Sequence, residues 1–425
     1  MNVEVDVTTE SSSAPPTAAS LAPASSGAVT SARWEKVEAA LAAATFHGQK
    51  EGRTTADGKR WSKAVTPGAV LLVAQGGEIK FLSAAGARSI VPTETELRVN
   101  TVYDVASLTK ALVTTTLIMR LIDSGKVELD RRLSRIFQTF GTFGKERITV
   151  RNLLAHCSGL PAYVPFYKQI AKADSGEKAG IMRCRGALEM VYHDIYRLPL
   201  EHEPGTISKY SDVGFILLGH LIEVGSGGRH LDKVAAEQLF APLKLRSTGF
   251  VELSRITRRG VAPITDVIAP TSECPWRRKL VWGEVQDENA WAMGGVAGHA
   301  GLFSTAEDVH AIARELINCY HGRGSLVSKD VARLFWTKDG TVEDSTWALG
   351  WDTPSPEGSS SGHHFGENAV GHLGYTGCSL WIDPERELEI ILLTNRVHPS
   401  VDNNLIKEFR PQIHDLVMET LGYAG

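Results

Sequence analysis

The chain has 425 residues, 43% of them apolar and 22% charged, with a formal net charge of −4. That length predicts two or three compact units with a sizeable core. The weak acidity removes the electrostatic case for nucleic acid as a partner, and no apolar run nears the roughly 18 residues of a membrane span.

Twenty of the first thirty residues are Ser, Thr, Ala, Pro or Gly, and no base precedes Arg33. Such a segment cannot bury enough apolar surface to offset its ordering entropy, so residues 1–30 are expected to form a disordered tail. It has neither the basic start and apolar run of a secretion signal nor the arginines of a transit peptide, which points to a cytoplasmic chain. Five cysteines without CxxC spacing suggest free, mostly buried thiols.

A helix is predicted from about Ser31, with Trp34, Val37, Leu41 and Ala44 on one face. Ala69–Ala74, the turn Gly76-Gly77 and Glu78–Leu82 read as a hairpin. Val102–Val105 is extended, and Leu108–Asp123 reads as an apolar helix ended by Gly125. Helical patterns follow at Arg131–Phe137, Val150–Cys157, Ala179–Tyr192, Asp212–Val224 and Leu231–Phe240. Residues 246–295 are rich in Pro, Gly, Arg and Trp without a period, and read as an irregular, partly exposed excursion. Ser304-Thr-Ala-Glu307 is a capping-box pattern opening a helix to about Tyr320. Ser379–Ile382 and Glu387–Asn395 form a second hairpin, and residues 403–421 an amphipathic helix carrying Leu405, Phe409, Ile413, Leu416 and Val417 on one side.

Two hairpins at opposite ends of the chain can pair into one antiparallel sheet covered by helices. The expected fold is therefore α+β, with residues 31–105 and 295–425 forming the sheet unit. An inserted, mainly helical unit spans 106–294, with the excursion at 246–294.

Ser107-Leu108-Thr109-Lys110 is the first candidate for chemistry. Ser107 stands where an extended run meets a helix, beside unsatisfied backbone donors. Lys110 projects from the same face one turn on, where a desolvated amine can serve as a base. The same four residues also suit a capping serine with a snorkelling lysine. A second SxxK, Ser175–Lys178, lies in a polar stretch and reads as accidental.

The longer run Tyr103-Asp104-Val105-Ala106-Ser107-Leu108-Thr109-Lys110 resembles the nucleophile segment of the serine β-lactamase and penicillin-recognising superfamily, in its class C and family VIII esterase branch. Further segments of that pattern follow in order. Leu153-Leu154-Ala155-His156-Cys157-Ser158-Gly159-Leu160 is similar to its LLxHxSGL helix end. Pro204–Phe215 is similar to the segment that carries its catalytic tyrosine, here Tyr210. Gly294–Thr305 resembles another family segment. Gly371-His372-Leu373-Gly374-Tyr375-Thr376-Gly377 resembles its third motif in the HxGxxG form.

The resemblance implies a β-lactamase/transpeptidase-like fold and a serine acyl-transfer site. Ser107 would be the nucleophile. Lys110 and Tyr210 would together take its proton and return it to the leaving group, and which of them is the base stays open. The backbone N–H groups of Ser107 and Tyr375 would form the oxyanion hole, with Asp212, His372 and Gly374 contacting substrate. Asp212 stands at a position usually held by Asn, and His372 at one held by Lys in β-lactamases. An ionised Asp cannot donate to a substrate amide, and a neutral imidazole attracts a carboxylate weakly. Both departures favour carboxylic esters as substrates. The alternatives are a D-alanyl-D-alanine carboxypeptidase or β-lactamase, an acyltransferase, or a non-catalytic scaffold of the same fold. Asp212 is also suited to capping the helix that begins at Val213.

Other motifs are weaker. Gly358-Ser359-Ser360-Ser361-Gly362 fits the GxSxG template but lies in a Ser/Gly-rich loop with no helix after it. His363 and His364 lack further ligands at helical spacing, and no nucleotide-binding motif occurs, so neither metal nor cofactor is expected. Asp287-Glu288-Asn289 reads as loop hydrogen bonding. The expected partner is a small ester or acyl substrate, and the oligomeric state is not readable.

Overall fold

The computed structural model describes residues 31–48, 52–54, 60–62, 64–176, 179–260 and 264–423. The expected tail at 1–30 and Lys178 of the second SxxK lie outside the described residues.

Alternating apolar residues build the main sheet. β1 (Gly68–Gln75) and β2 (Glu78–Ser89) form the first hairpin, and β3 (Thr95–Glu96) extends it. Of two strands that meet away from this sheet, β4 (Tyr103–Asp104) leads to Ser107 and β5 is Gly249–Phe250. Both pair with β6 (Leu302–Ser304), Asp104 opposite Phe303 and Phe250 opposite Leu302. The last three strands are β7 (Val370–Leu373), β8 (Ser379–Asp383) and β9 (Leu388–Thr394). The main sheet has the order β7-β8-β9-β1-β2-β3 and every pair is antiparallel. β9 lies beside β1, with Ile391 opposite Leu72, so the two ends of the chain meet in one sheet.

Both faces of that sheet are buried. Val70, Leu72, Ile391 and Leu393 point into the larger core, while Leu71, Val73, Ile390 and Leu392 point into a smaller one. This is the period-2 alternation of strands with a layer on each side. The smaller core is closed by α1 (Glu35–Ala43) through Val37 and Leu41, with Trp34 just before it, and by the C-terminal helix, Ile406–Leu421, through Phe409 and Ile413. Leu405, expected on the apolar side of that helix, precedes it and is exposed.

The larger core holds most of the helices. After a π-helical stretch at Lys110–Thr115 come α2 (Thr116–Asp123), α3 (Val150–Leu154), α4 (Phe166–Asp174), α5 (Arg185–Arg197) and α6 (Asp212–Gly225). They are followed by α7 (Leu231–Ala235), α8 (Leu253–Arg259), α9 (Glu288–Ala292), α10 (Ala306–Tyr320) and α11 (Lys329–Trp336). The C-terminal helix is α12. No helix among the described residues is long and apolar enough to cross a membrane.

Several elements differ from the sequence expectation. The pattern at Ala179–Tyr192 becomes α5, which starts only at Arg185, because Arg183 is left-handed (φ 62°) and Cys184 is extended. Arg131–Phe137 shrinks to one 3-10 turn, where the Leu133 N–H bonds to the Ile148 carbonyl instead of an intrahelical partner. The cap of α10 is Thr305, which accepts from the Asp308 N–H, and not Ser304. The cap of α6 is Ser211, which accepts from the Gly214 N–H, and Asp212 is the first helical residue, free to point elsewhere. α4 and α11 were not expected. The segment read as an irregular excursion carries α8 and α9, and its Ser272, Glu284, Gln286 and Asn289 are buried.

Candidate active site

Sheet and helices meet around a cavity of about 820 Å³ lined by Ser107, Tyr210, Asp212, Trp347, His372 and Tyr375, among others. At its floor β4 ends in a sharp turn. Ala106 takes φ 48°, and the Lys110 N–H bonds to the Ser107 carbonyl as the helix begins. Ser107 is thereby set at the mouth of that helix, with Lys110 behind it.

Lys110 is fully buried. Its Nζ donates to Ser107 Oγ at 2.8 Å and to the His299 carbonyl at 3.1 Å, and pairs with Asp212 Oδ1 at 2.7 Å. Burial works against the cation, but Asp212 and Tyr210 outweigh it and raise the lysine above its ordinary value. The resting lysine is therefore an ammonium with no lone pair to accept a proton.

The Tyr210 ring lies against Lys110, whose Nζ is 4.7 Å from its centroid. Burial raises its phenol and Asp212 adds to that, while Lys110 pulls the other way. The ring is packed by His156 and Trp347, at centroid distances of 4.7 and 5.6 Å. His156 also accepts the Lys209 N–H at its carbonyl and the Ser211 N–H at Nδ1, which fixes the turn on both sides of Tyr210. Burial holds His156 well below the usual imidazole range, so it stays a neutral acceptor.

His372 lies near the end of β7, opposite Leu380 of β8. Its Nδ1 donates to the Leu373 carbonyl at 2.9 Å, and a carbonyl can only accept, so the proton sits on Nδ1. Burial, followed by Lys110, pushes this imidazole down to about 3, and it carries no charge at neutral pH. In the loop that follows β7 a Cβ on Gly374 would come within 2.6 Å of the Val105 carbonyl. Only glycine lets the loop lie against the segment that leads to Ser107. Arg396 donates to the Tyr375 carbonyl, and Arg410 to those of Gly377 and Cys378. The backbone N–H groups of Ser107 and Tyr375 have no acceptor among the described residues. Two unfilled donors in a cavity wall suit a developing oxyanion.

The structure thus gathers Ser107, Tyr210, Asp212, His372, Gly374 and Tyr375 around one cavity, with Lys110 buried behind Ser107. Asp212 faces Lys110, an ion pair that its sequence context did not suggest. The residues Gly358–Gly362 do not line the cavity. Sequence reasoning missed Trp347, for which no local signal exists. It also missed the His299–Asp287 pair, 3.0 Å apart. Asp287 caps α9 as well, and despite burial, His299 helps to hold it at about 2.

Comparison with known proteins gives a consistent picture. The Beta-lactamase family model matches residues 37–413. The chain is 33% identical over 368 residues to "N-acetylmuramyl-L-alanine amidase" of Bacillus subtilis (strain 168), covering 79% of this chain and 78% of that protein. It is 31% identical over 370 residues to "Putative D-alanyl-D-alanine carboxypeptidase" of Escherichia coli (strain K12), covering 79% and 80%. Among solved structures it is similar to "EstCE1, a hydrolase with promiscuous acyltransferase activity", with a TM-score of 0.61 at 22% identity, over 81% of this chain and 94% of that one. At that identity the likeness concerns the fold alone.

Proposed function

The chain belongs to the Beta-lactamase family and is a serine hydrolase of β-lactamase fold, and from that premise we propose that it cleaves carboxylic esters through an acyl-enzyme on Ser107. Ser107 Oγ attacks the ester carbonyl, and its proton passes to the Tyr210 oxygen. Lys110 is not the acceptor, because as an ammonium it already donates to Ser107 Oγ. Tyr210 must therefore be ionised to act as base, and it returns the proton to the departing alkoxide. The oxyanion is held by the N–H groups of Ser107 and Tyr375. Water then attacks the acyl-enzyme by the same route in reverse.

One observation carries the ester reading. Among the described residues, the cation that touches Ser107 Oγ, Lys110, is paired with Asp212, and the nearby His372 is neutral. Such a site suits an uncharged group next to the scissile bond. A second reading, cleavage of a peptide or amide that ends in a carboxylate, is favoured by Arg396. This cation lines the cavity, bonds only to carbonyls, and has no carboxylate partner among the described residues. The names of the two curated relatives point the same way.

The test is a parallel screen of short- and long-acyl nitrophenyl esters, a chromogenic cephalosporin and a D-Ala-D-Ala peptide. Ester turnover should dominate, and faster release from the peptide would reverse the order of the two readings. Ser107→Ala should abolish both turnover and covalent labelling by a fluorophosphonate, while Ser360→Ala leaves both intact. Labelling that survives Ser107→Ala would remove the nucleophile assignment. Tyr210→Phe should lower the rate by at least about a hundredfold, the scale of a lost general base.

A further inference from the structure

Asp104 lies three residues before the nucleophile and is 2% exposed. Three separate parts of the site converge on it. Its Oδ1 accepts the Ala106 N–H at 2.8 Å, its Oδ2 accepts the Gln286 N–H at 2.6 Å, and its carbonyl accepts the Thr376 hydroxyl at 2.8 Å. The first bond holds Ala106 in the left-handed conformation that non-glycine residues seldom adopt, immediately before Ser107. The second ties that turn to the cavity wall that carries Asp287. The third ties it to the loop whose Tyr375 N–H faces the cavity.

We propose that Asp104 is the positioning residue of the nucleophile: its ionised carboxylate holds the Ser107 turn in the reactive pose, and protonation releases it. The inference rests on the Ser107 reading above. Its physical basis is the donor and acceptor inventory. An ionised carboxylate offers acceptors to both backbone N–H groups. A protonated one turns an acceptor into a donor facing an N–H, which cannot accept. The titratable groups that face Asp104 are Asp287 and Arg277 from the segment leading to α9, and Cys378 from the loop between β7 and β8. Phe303, opposite it on β6, carries no charge. Burial pushes the Asp104 carboxyl up to about 6 against its two N–H bonds, so the release falls within an accessible pH range.

The experiment follows the rate of fluorophosphonate labelling from acid to alkaline pH for the native chain, Asp104→Asn and Asp104→Ser, with thermal melts to check folding. The native rate should fall as Tyr210 is protonated, and steepen in its fall below about pH 6. Asp104→Asn should label about ten- to a hundredfold more slowly at alkaline pH, the cost of a misplaced reacting group, and should lack the steepening. Asp104→Ser, like Asp104→Asn, keeps one acceptor for the Ala106 N–H, but it places no donor against the Gln286 N–H, so it should label faster than Asp104→Asn, again without the steepening. Native rate and native pH profile in Asp104→Asn would overturn the proposal. If that variant does not fold, a retained acid steepening in Asp104→Ser would do the same. A native chain that labels at Ser107 without the steepening overturns this inference alone, whereas a native chain that never labels overturns the functional reading and this inference together.

Discussion

Asp212 shows how one residue resets the chemistry of its neighbours. Its carboxylate sits 2.7 Å from the Lys110 ammonium and raises both Lys110 and Tyr210. The positive charge that would favour a phenolate is thus partly cancelled, and the proposed base is kept protonated to higher pH. Asp212→Asn keeps the shape and removes the charge. Tyr210 then loses an influence that raises it, and Lys110 loses what holds it charged against burial. Both changes make a base available at lower pH. The alkaline rise in fluorophosphonate labelling of Ser107 should therefore move toward acid in the variant, as read from pH–rate profiles. If Asp212 acted only by touching substrate, ester turnover would change in KM and the labelling profile would stay where it is. The residue types of this cluster were legible in the sequence, because the nucleophile, tyrosine and third-motif segments keep their flanks. That Asp212 pairs with Lys110 was not, because it depends on Ser211 taking the capping position and leaving the next side chain free.

Among the elements, the glycine-rich segment before β6 is packed directly against a helix backbone. A Cβ on Gly298 would lie 2.2 Å from the Phe215 carbonyl and 2.8 Å from the Gly219 nitrogen, both backbone atoms of α6 that cannot move aside. The next residue, His299, offers the carbonyl that receives Lys110. Gly298→Ala should therefore cost about 1–3 kcal/mol in urea unfolding, the scale of overpacking, and should also slow Ser107 labelling. The segment was recognisable in the sequence, but the reason for its glycines was not, since the surface they meet comes from a helix some eighty residues earlier. α5 shows the same limit from the other side. The apolar periodicity runs back to Ala179, and the left-handed Arg183 with the extended Cys184 delays the start of the helix. α11 has its cap at Ser328 and apolar residues at Ala332, Phe335 and Trp336, a pattern that is local to its own sequence.

Across the whole molecule the main sheet separates two cores, and of the two helices that close the smaller one α12 also lines the cavity while α1 does not. Ser107, Lys110 and Tyr210 lie on the side of the large core, while Leu41 of α1 is fully buried in the small one beyond the sheet. Leu41→Ala should cost about 2–5 kcal/mol of stability, as a cavity in a packed core does. The labelling rate of the folded protein at Ser107 should not change, and a slowed rate at full folding would mean that the two layers are coupled through the strands. The sequence alone determined the hairpins, the α+β class and the ordered motifs, because hydrophobic period and local residue chemistry are written along the chain. It also showed the replacement of a lysine by His372 and of an asparagine by Asp212. Only the tertiary structure decided what those residues do. The pairing of β9 with β1 brings the loop between β7 and β8 against Val105, burial makes His372 neutral, and the turn before α6 delivers Asp212 to Lys110. Charge states and partners depend on distance and desolvation in three dimensions, and neither is a property of neighbouring positions in a chain.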